Sequence, residues 1–313
     1  MQQKPMIILT GPTAVGKSAL SVELAKKING AVISADSMQV YRHMDIGSAK
    51  IRPEEMCGVP HYLIDVLDPS EEFHVVKFVE LAHEAMEKIY AAGQIPIVTG
   101  GTGFYIQALL KEVDFTESHG ELPIRKQLEE KAATEEGAAE LYRELSEVDP
   151  ASAETIHPNN VKRVIRALEY YHETGQKISE HNEEQKQKES PYCSAYFVLN
   201  DERSILYDRI DRRVDQMICD GLVDEVFRLK EMGYTRDLVS MQGLGYKELF
   251  PYLAGECTLE EAVYIIKRDT RHFAKRQLTW FRREKDVIWL NKPDFDYDEE
   301  KILSYMLLSL IHI

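Results

Sequence analysis

Long apolar runs are missing from this 313-residue chain. None approaches the ~18 residues that a membrane-spanning helix needs. The best candidate, Ile302 to Ile313, is broken by Ser304, Tyr305 and Ser309 and reads as a packed terminal helix, so no membrane role is expected. Met6-Ile7-Ile8-Leu9 is too short for the apolar stretch of a signal peptide and runs directly into a glycine loop, so no leader is expected. Cysteine is scarce. The four, at 57, 193, 219 and 257, form no CxxC pair, which argues against zinc knuckles and a disulfide scaffold and fits a reducing cytoplasm. Internal repeats are lacking, and 44% hydrophobic with 29% charged residues excludes collagen-like, low-complexity and wholly disordered chains. Positive charge is also in deficit: the net charge is −15, which in bulk disfavours a nucleic-acid partner.

The distribution of charge reverses that last exclusion. Between Ala262 and Lys285 stand eight Lys/Arg and two acids, a local +6, so the remainder carries −21. An acidic body with one basic segment can still meet a polyanion.

Along the first third, short apolar runs alternate with helical patterns, as in a doubly wound α/β sheet. Strands are expected at 6–10, 31–34 and 95–99, and helices at 17–28 and 73–92. From about 115 to 189 the chain turns polar, charged and helical in period. It reads as an all-helical insertion in a core made of residues 1–114 and 190–313. Residues 179–190 hold almost no apolar side chain and read as an exposed, mobile connector. A strand at 192–199, helices through 201–283 and a late strand at 287–290 complete the core. The expected fold is α/β: a P-loop NTPase-like doubly wound parallel sheet with a helical insertion and additional C-terminal helices.

The most specific motif is Gly11-Pro12-Thr13-Ala14-Val15-Gly16-Lys17-Ser18, which fits GxxxxGK[ST] and lies between a strand and a helix. Its glycines let backbone N–H groups converge on phosphate oxygens. The helix N-terminus adds about half a positive charge. Lys17 supplies a full one, and Ser18 can ligate Mg²⁺. The motif specifies a di- or triphosphate but not the molecule that carries it. Asn291-Lys292-Pro293-Asp294 matches the guanine-reading NKxD, yet only 19 residues follow it and Pro293 disfavours a helix start, so it reads as chance.

Other polar groups cluster at strand ends, where doubly wound sheets bind ligands. Asp36-Ser37-Met38-Gln39 follows the second strand. Asp36 is a general base, a metal partner or a helix cap. Gly100-Gly101-Thr102-Gly103 ends a third strand, and Thr102 can donate to a ligand. Arg209 and Arg213 are i, i+4 and like-charged, with no acid at i±3 or i±4, so an external anion is a natural partner. Arg268, Arg271, Lys275 and Arg282 fall on one helical face and read as a phosphate-backbone stripe. Lys162, Arg163 and Arg166 form a smaller basic turn. Gln242-Gly243-Leu244-Gly245-Tyr246-Lys247 reads as a flexible loop that offers an aromatic ring and a base to unstacked nucleotides.

Taken together, GPTAVGKSAL, DSMQVYRHMDIGSAK, VTGGTGFY, IHPNNVKRVIRALE, QGLGYKE and TRHFAKRQLTWFR resemble the bacterial-type tRNA dimethylallyltransferases, in that family's order and over nearly the whole chain. Ser48 stands where the family often has Thr, and Tyr62 follows His61 where a second His is common. The resemblance implies transfer of a dimethylallyl group from dimethylallyl diphosphate to N6 of the adenosine 3′-adjacent to the anticodon, with release of diphosphate. It implies a cytoplasmic, Mg²⁺-dependent, nucleotide-binding transferase, expected as a monomer, whose partner is the tRNA anticodon stem-loop. Diphosphate would be held by Gly11, Thr13, Ala14, Val15, Gly16, Lys17 and Ser18 with Arg209 or Arg213. Asp36, Thr102 and Lys17 would carry the chemistry. Contacts to tRNA would come from Asp36, Ser37, Met38, Gln39, Thr102, Arg125, Lys162, Arg163, Arg166, Gln242, Gly243, Gly245, Tyr246, Lys247, Arg268, Arg271 and Lys275. A small-molecule kinase, or an RNA-binding NTPase that leaves the RNA unmodified, would share the loop and would instead turn over ATP.

Overall fold

Successive residues of the buried strands point to opposite sides, and both sides are apolar. This is the signature of a sheet covered on both faces. In the computed structural model, which describes residues 3–113 and 123–312, Met6 and Ile8 pack into one core while Ile7 and Leu9 pack into the other. Tyr196 and Val198 against Phe197 and Leu199 repeat the pattern.

The chain runs β1 (Lys4–Thr10), α1 (Lys17–Ile28), β2 (Gly30–Ser34), α2 (Pro53–Met56), β3 (His61–Tyr62), α3 (Val75–Ala91), β4 (Ile95–Gly100) and α4 (Gly103–Lys111). It continues with α5 (Pro123–Lys131), α6 (Glu135–Val148), α7 (Pro150–Thr155), α8 (Val161–Thr174) and α9 (Ile178–Gln187). It closes with β5 (Tyr192–Asn200), α10 (Arg203–Cys219), α11 (Leu222–Glu231), α12 (Leu249–Leu253), α13 (Leu259–Phe281), β6 (Ile288–Asn291) and α14 (Glu299–Ser309).

All six strands are parallel, in the order β3-β2-β4-β1-β5-β6. The register sets Thr10 beside Gly100 and Ser34 beside Thr99. The loops after β1, β2 and β4 therefore leave the sheet at one edge, side by side. Helices α1 and α14 cover one face, through Leu20, Leu24, Ile302 and Met306. Helices α3, α4, α11 and α13 cover the other, through Phe78, Ile106, Val226 and Ile266. This is the P-loop NTPase-like arrangement. No helix of the described residues is long and apolar enough to cross a membrane.

Two compact units emerge, residues 1–110 with 191–313 and residues 111–190. The boundary expected at 114/115 lies outside the described residues. The second unit is helical around Leu128, Leu141, Leu145, Val164, Ile165 and Leu168. The connector expected at 179–190 is instead mostly helix: α9 reaches Gln187. Its first turn is anchored by buried Asp149, which accepts from Ser179 N (3.0 Å), Ser179 Oγ (2.6 Å), Ser152 N (3.1 Å) and Ser152 Oγ (2.6 Å). Composition hid this, because one buried carboxylate and Ile178 hold a helix that is otherwise solvated.

Candidate active site

The first loop at the ligand edge is 11–16. Gly11 has φ +148°, and a Cβ there would strike the Leu199 carbonyl, so the loop crosses β5 at a distance only glycine permits. Ala14 and Gly16 are left-handed, which curls the backbone ahead of α1. Lys17 Nζ donates to the Pro12 carbonyl (2.9 Å). Burial, and then repulsion by Arg213, lower its ammonium to about 8, while Asp36 pulls the other way. Ser18 lines the same cavity, of about 160 Å³, together with Gly16, Lys17, Asp36, Thr99, Gly100 and Arg213.

Asp36 follows β2. Its Oδ1 accepts from Met38 N (2.8 Å) and Gln39 N (3.3 Å), so it does cap the next turn, and the carboxylate still lines the cavity. Gln39 is occupied in bracing: it accepts from Ser34 Oγ (3.2 Å) and donates to the Ala49 carbonyl (3.3 Å). A second cavity of about 300 Å³ shares Thr13, Ala14, Asp36, Ser48 and Arg213 with the first. Its walls include Met38, Ile210, Val214, Met217, Ile266 and Phe273, with Ser37, Thr102, Gln242, Gly243, Gly245 and Lys247 at polar positions. A phosphate-sized end thus meets a largely apolar end, and Asp36 stands where they join.

The structure separates the two arginines. Arg213 lines both cavities and makes no ion pair among the described residues; burial lowers its pKa, with Asp36 opposing. Arg209 lies outside both cavities. Its guanidinium forms an ion pair with the fully buried carboxylate of Asp201 at 2.6 Å, an acid eight residues earlier that helical spacing could not pair with it. The expectation that Arg209 is open to an external anion is corrected on that ground.

Tyr246 is also corrected. It is 0% exposed, and its hydroxyl donates to Glu225 (2.8 Å), so its ring cannot stack on a nucleotide. Glu225, itself buried, accepts from the N–H groups of Asp45, Ile46 and Gly47, and so fixes the segment before Ser48. Desolvation drives a carboxylate in such a place to collect donors, and four converge on it.

Part of the basic stripe is spoken for. Arg271 bonds Asp211 (2.5 and 2.7 Å) and ties α13 to α10, and Arg268 bonds Asp269 (2.8 Å). Lys275, Arg276, Arg282 and Arg283 make no ion pair among the described residues. His272, Lys275, Arg276, Thr279, Trp280 and Arg283 line a surface groove of about 340 Å³. In the helical unit, Arg125 and Arg166 pair with buried Glu169 (3.7 and 3.2 Å), whereas Lys162 and Arg163 make no ion pair among the described residues. Lys247 lies 3.7 Å from Glu248.

Two residues were missed by the reading of motifs. Lys292 belongs to the discounted NKxD match. Asn291 and Asp294 of that match bond each other (3.0 Å), and the Lys292 ammonium lies against Gly16. Gln277 is the other; it is the one buried polar side chain inside the basic segment of α13.

Sheet, loop and cleft define a P-loop α/β protein in which a cavity at the glycine loop adjoins a largely apolar chamber. Comparison narrows the class. The IPP transferase model matches residues 39–284, and an isopentenyl transferase model matches residues 5–72. The chain belongs to the IPP transferase family. It is 65% identical to the tRNA dimethylallyltransferase of Lachnoclostridium phytofermentans over 98% of this chain and 97% of that one. With the protein of the same name from Acetivibrio thermocellus it shares 50% over 97% of each. Among solved structures, the tRNA isopentenylpyrophosphate transferase of Bacillus halodurans is 46% identical over 98% of this chain and 96% of that one, with a TM-score of 0.72. A eukaryotic dimethylallyltransferase, solved acting on tRNA, is 36% identical over 92% and 74%, with a TM-score of 0.80.

Proposed function

We propose that this cleft transfers the dimethylallyl group of dimethylallyl diphosphate to the exocyclic N6 amine of the tRNA adenosine 3′-adjacent to the anticodon. The observation that carries the reading is the junction at Asp36 between a Lys17-lined phosphate end and an apolar chamber. The adenine amine is a weak nucleophile, because its lone pair is delocalised into the ring. Catalysis must therefore favour departure of diphosphate. The allylic C–O bond breaks, the N6–C bond forms, and the amine proton passes to the Asp36 carboxylate. Lys17, the loop N–H groups and Arg213 stabilise the charge that builds on the leaving oxygens. Thr102 lines the chamber and helps seat the reacting groups. The adenine leaves its stack to reach this point, as base-modifying enzymes require.

The donor set also fits Mg²⁺. Ser18 Oγ and the Asp36 carboxylate are hard oxygen groups on one cavity, and no group of three or more His, Cys, Asp or Glu among the described residues is arranged to hold a metal ion. Such a site suits a cation that keeps most of its ligands from phosphate and water. Bound there, Mg²⁺ would add charge stabilisation at the diphosphate.

On this reading the tRNA backbone meets Lys275, Arg276, Arg282 and Arg283; within the helical unit, Lys162 and Arg163 are separate candidates for phosphate contact. Place of action is the cytoplasm, and the working unit is one chain. The test is incubation with tRNA and dimethylallyl diphosphate, without ATP, followed by mass analysis of the digested nucleosides. Adenosine heavier by one five-carbon prenyl group supports the reading. ATP turnover with unchanged nucleosides refutes it.

A further inference from the structure

We propose that Gln277 is a positioning residue: one carboxamide that holds the phosphate loop and the Gly100–Gly103 loop at a fixed separation, with Thr102 clamped in place. The kinetic part of this proposal rests on the prenyl-transfer reading above; the structural part does not.

Gln277 is 6% exposed and sits on the inner face of α13. Its Oε1 accepts from Thr13 N (2.9 Å) in the phosphate loop. Its Nε2 donates to the Gly101 carbonyl (3.0 Å) after β4. Acceptor and donor are each matched to the opposite group, and a primary amide carries the two on separate atoms without a charge. A Cβ at Gly101 would collide with Nε2, so that glycine is what admits the bridge. Three residues further along the helix, the Trp280 ring presses on Gly103, where a Cβ would again collide. Helix α13 therefore grips the β4 loop on both sides of Thr102, and the side chain between the two grips lines the chamber.

The bridge has a further consequence. Thr13 N–H is engaged by a side chain, so a phosphate group is left the amides from Ala14 onward. The same bond holds the loop just ahead of its left-handed turn at Ala14. A shift of ~1 Å between reacting groups can cost ~10²-fold in rate. A residue that sets the distance between the two loops should act on the chemical step more than on affinity.

Two variants test this. Gln277→Met keeps the length and removes both bonds. Gln277→Glu keeps the acceptor for Thr13 and loses the donor to Gly101. Gln277→Met should slow single-turnover transfer by about 10- to 100-fold, with donor and tRNA affinities changed less than about threefold and faster amide exchange at Thr13. Gln277→Glu should keep Thr13 protected and regain rate relative to wild type as pH falls, because a protonated carboxyl again donates to Gly101. Unchanged Thr13 exchange in Gln277→Met overturns the proposal, as does loss of affinity with an unaltered single-turnover rate. If Gln277→Met does not fold, Gln277→Glu decides alone: a rate ratio to wild type that stays flat with pH overturns the proposal. If the wild-type protein fails to prenylate tRNA, the function fails, while Thr13 exchange and inorganic diphosphate affinity in the same variants still decide the bridge.

Discussion

Binding of inorganic diphosphate should weaken as pH rises above about 8, and Lys17 should be the cause. In the free protein its ammonium titrates near 8, down from an ordinary 10.5, through burial and the neighbouring Arg213 charge. A diphosphate in the loop brings negative charge to that ammonium and moves its pKa back up. The complex then keeps a proton that the free protein has lost, so binding takes up a proton throughout the window between the two values. Affinity is flat below pH 8 and falls by up to about tenfold per pH unit above it, until the pKa of the complex is passed. If binding restores the ordinary value, the whole effect is about 2.5 units, or roughly 300-fold. Calorimetry at pH 9 in two buffers of different ionisation enthalpy reads the uptake directly, and close to one proton per site is expected. Lys17→Arg provides the control, since a guanidinium does not titrate in this range and diphosphate's own ionisation is common to both proteins. Arg213→Ala should move the onset to higher pH, because one of the two causes of the depression is gone. Equal proton uptake by wild type and Lys17→Arg would refute the reasoning.

Asp36→Asn retains an oxygen to cap Met38 and Gln39 and loses the base; single-turnover transfer should fall ~10²–10⁴-fold with tRNA affinity kept, which quench-flow and filter binding will measure. Arg213→Ala should lower both donor affinity and single-turnover rate. Arg209→Ala should instead lower stability by about 1–3 kcal/mol in chemical denaturation, less than a fully buried pair costs because Arg209 is itself 30% exposed while Asp201 is not. Neutralising Lys275, Arg276 and Arg283 should flatten log affinity for tRNA against log salt by roughly 0.7–0.9 units for each phosphate no longer neutralised, whereas Arg271→Gln should lower Tm, because its guanidinium holds Asp211.

The fold was legible because its signals are local. A strand buried on both faces, a glycine loop and a helix stop at Asn29-Gly30 are each written within a few residues, and α1 runs from Lys17 to Ile28 as its apolar period predicts. The junction of the site was legible for a related reason. Loops after parallel strands must converge at one edge, so Asp36 and Thr102 could be placed beside the phosphate loop without coordinates. The site inferences that failed were ones that needed to know a distant partner. Arg209 looked free because helical spacing offers no acid, and Asp201 reaches it from before the helix. Tyr246 looked like a stacking platform because QGLGYK reads as a loop, but its ring is buried and its hydroxyl is held by Glu225 of α11.

Helix α13 shows why counting charge along a sequence misreads a face. A helical period groups Arg268, Arg271 and Lys275, and the scarcity of nearby acids made all three look available. Availability depends on acids that are near in space. Asp211 stands 60 residues earlier and takes Arg271, leaving the unpaired charge displaced toward the C-terminal end, at Lys275, Arg276, Arg282 and Arg283. The same helix turns its opposite face inward, where a neutral Gln277 meets two glycine loops. Lys275 and Arg283 line only the outer groove, while Arg276 also reaches the chamber, so the cationic surface and the Gln277 bridge share one backbone. Charge changes on the outer face should therefore move affinity and salt slope, and inner-face changes at Gln277 should move the chemical step. A double variant, Lys275→Gln with Gln277→Met, should show the two effects adding independently, which is the behaviour expected of sites without shared partners.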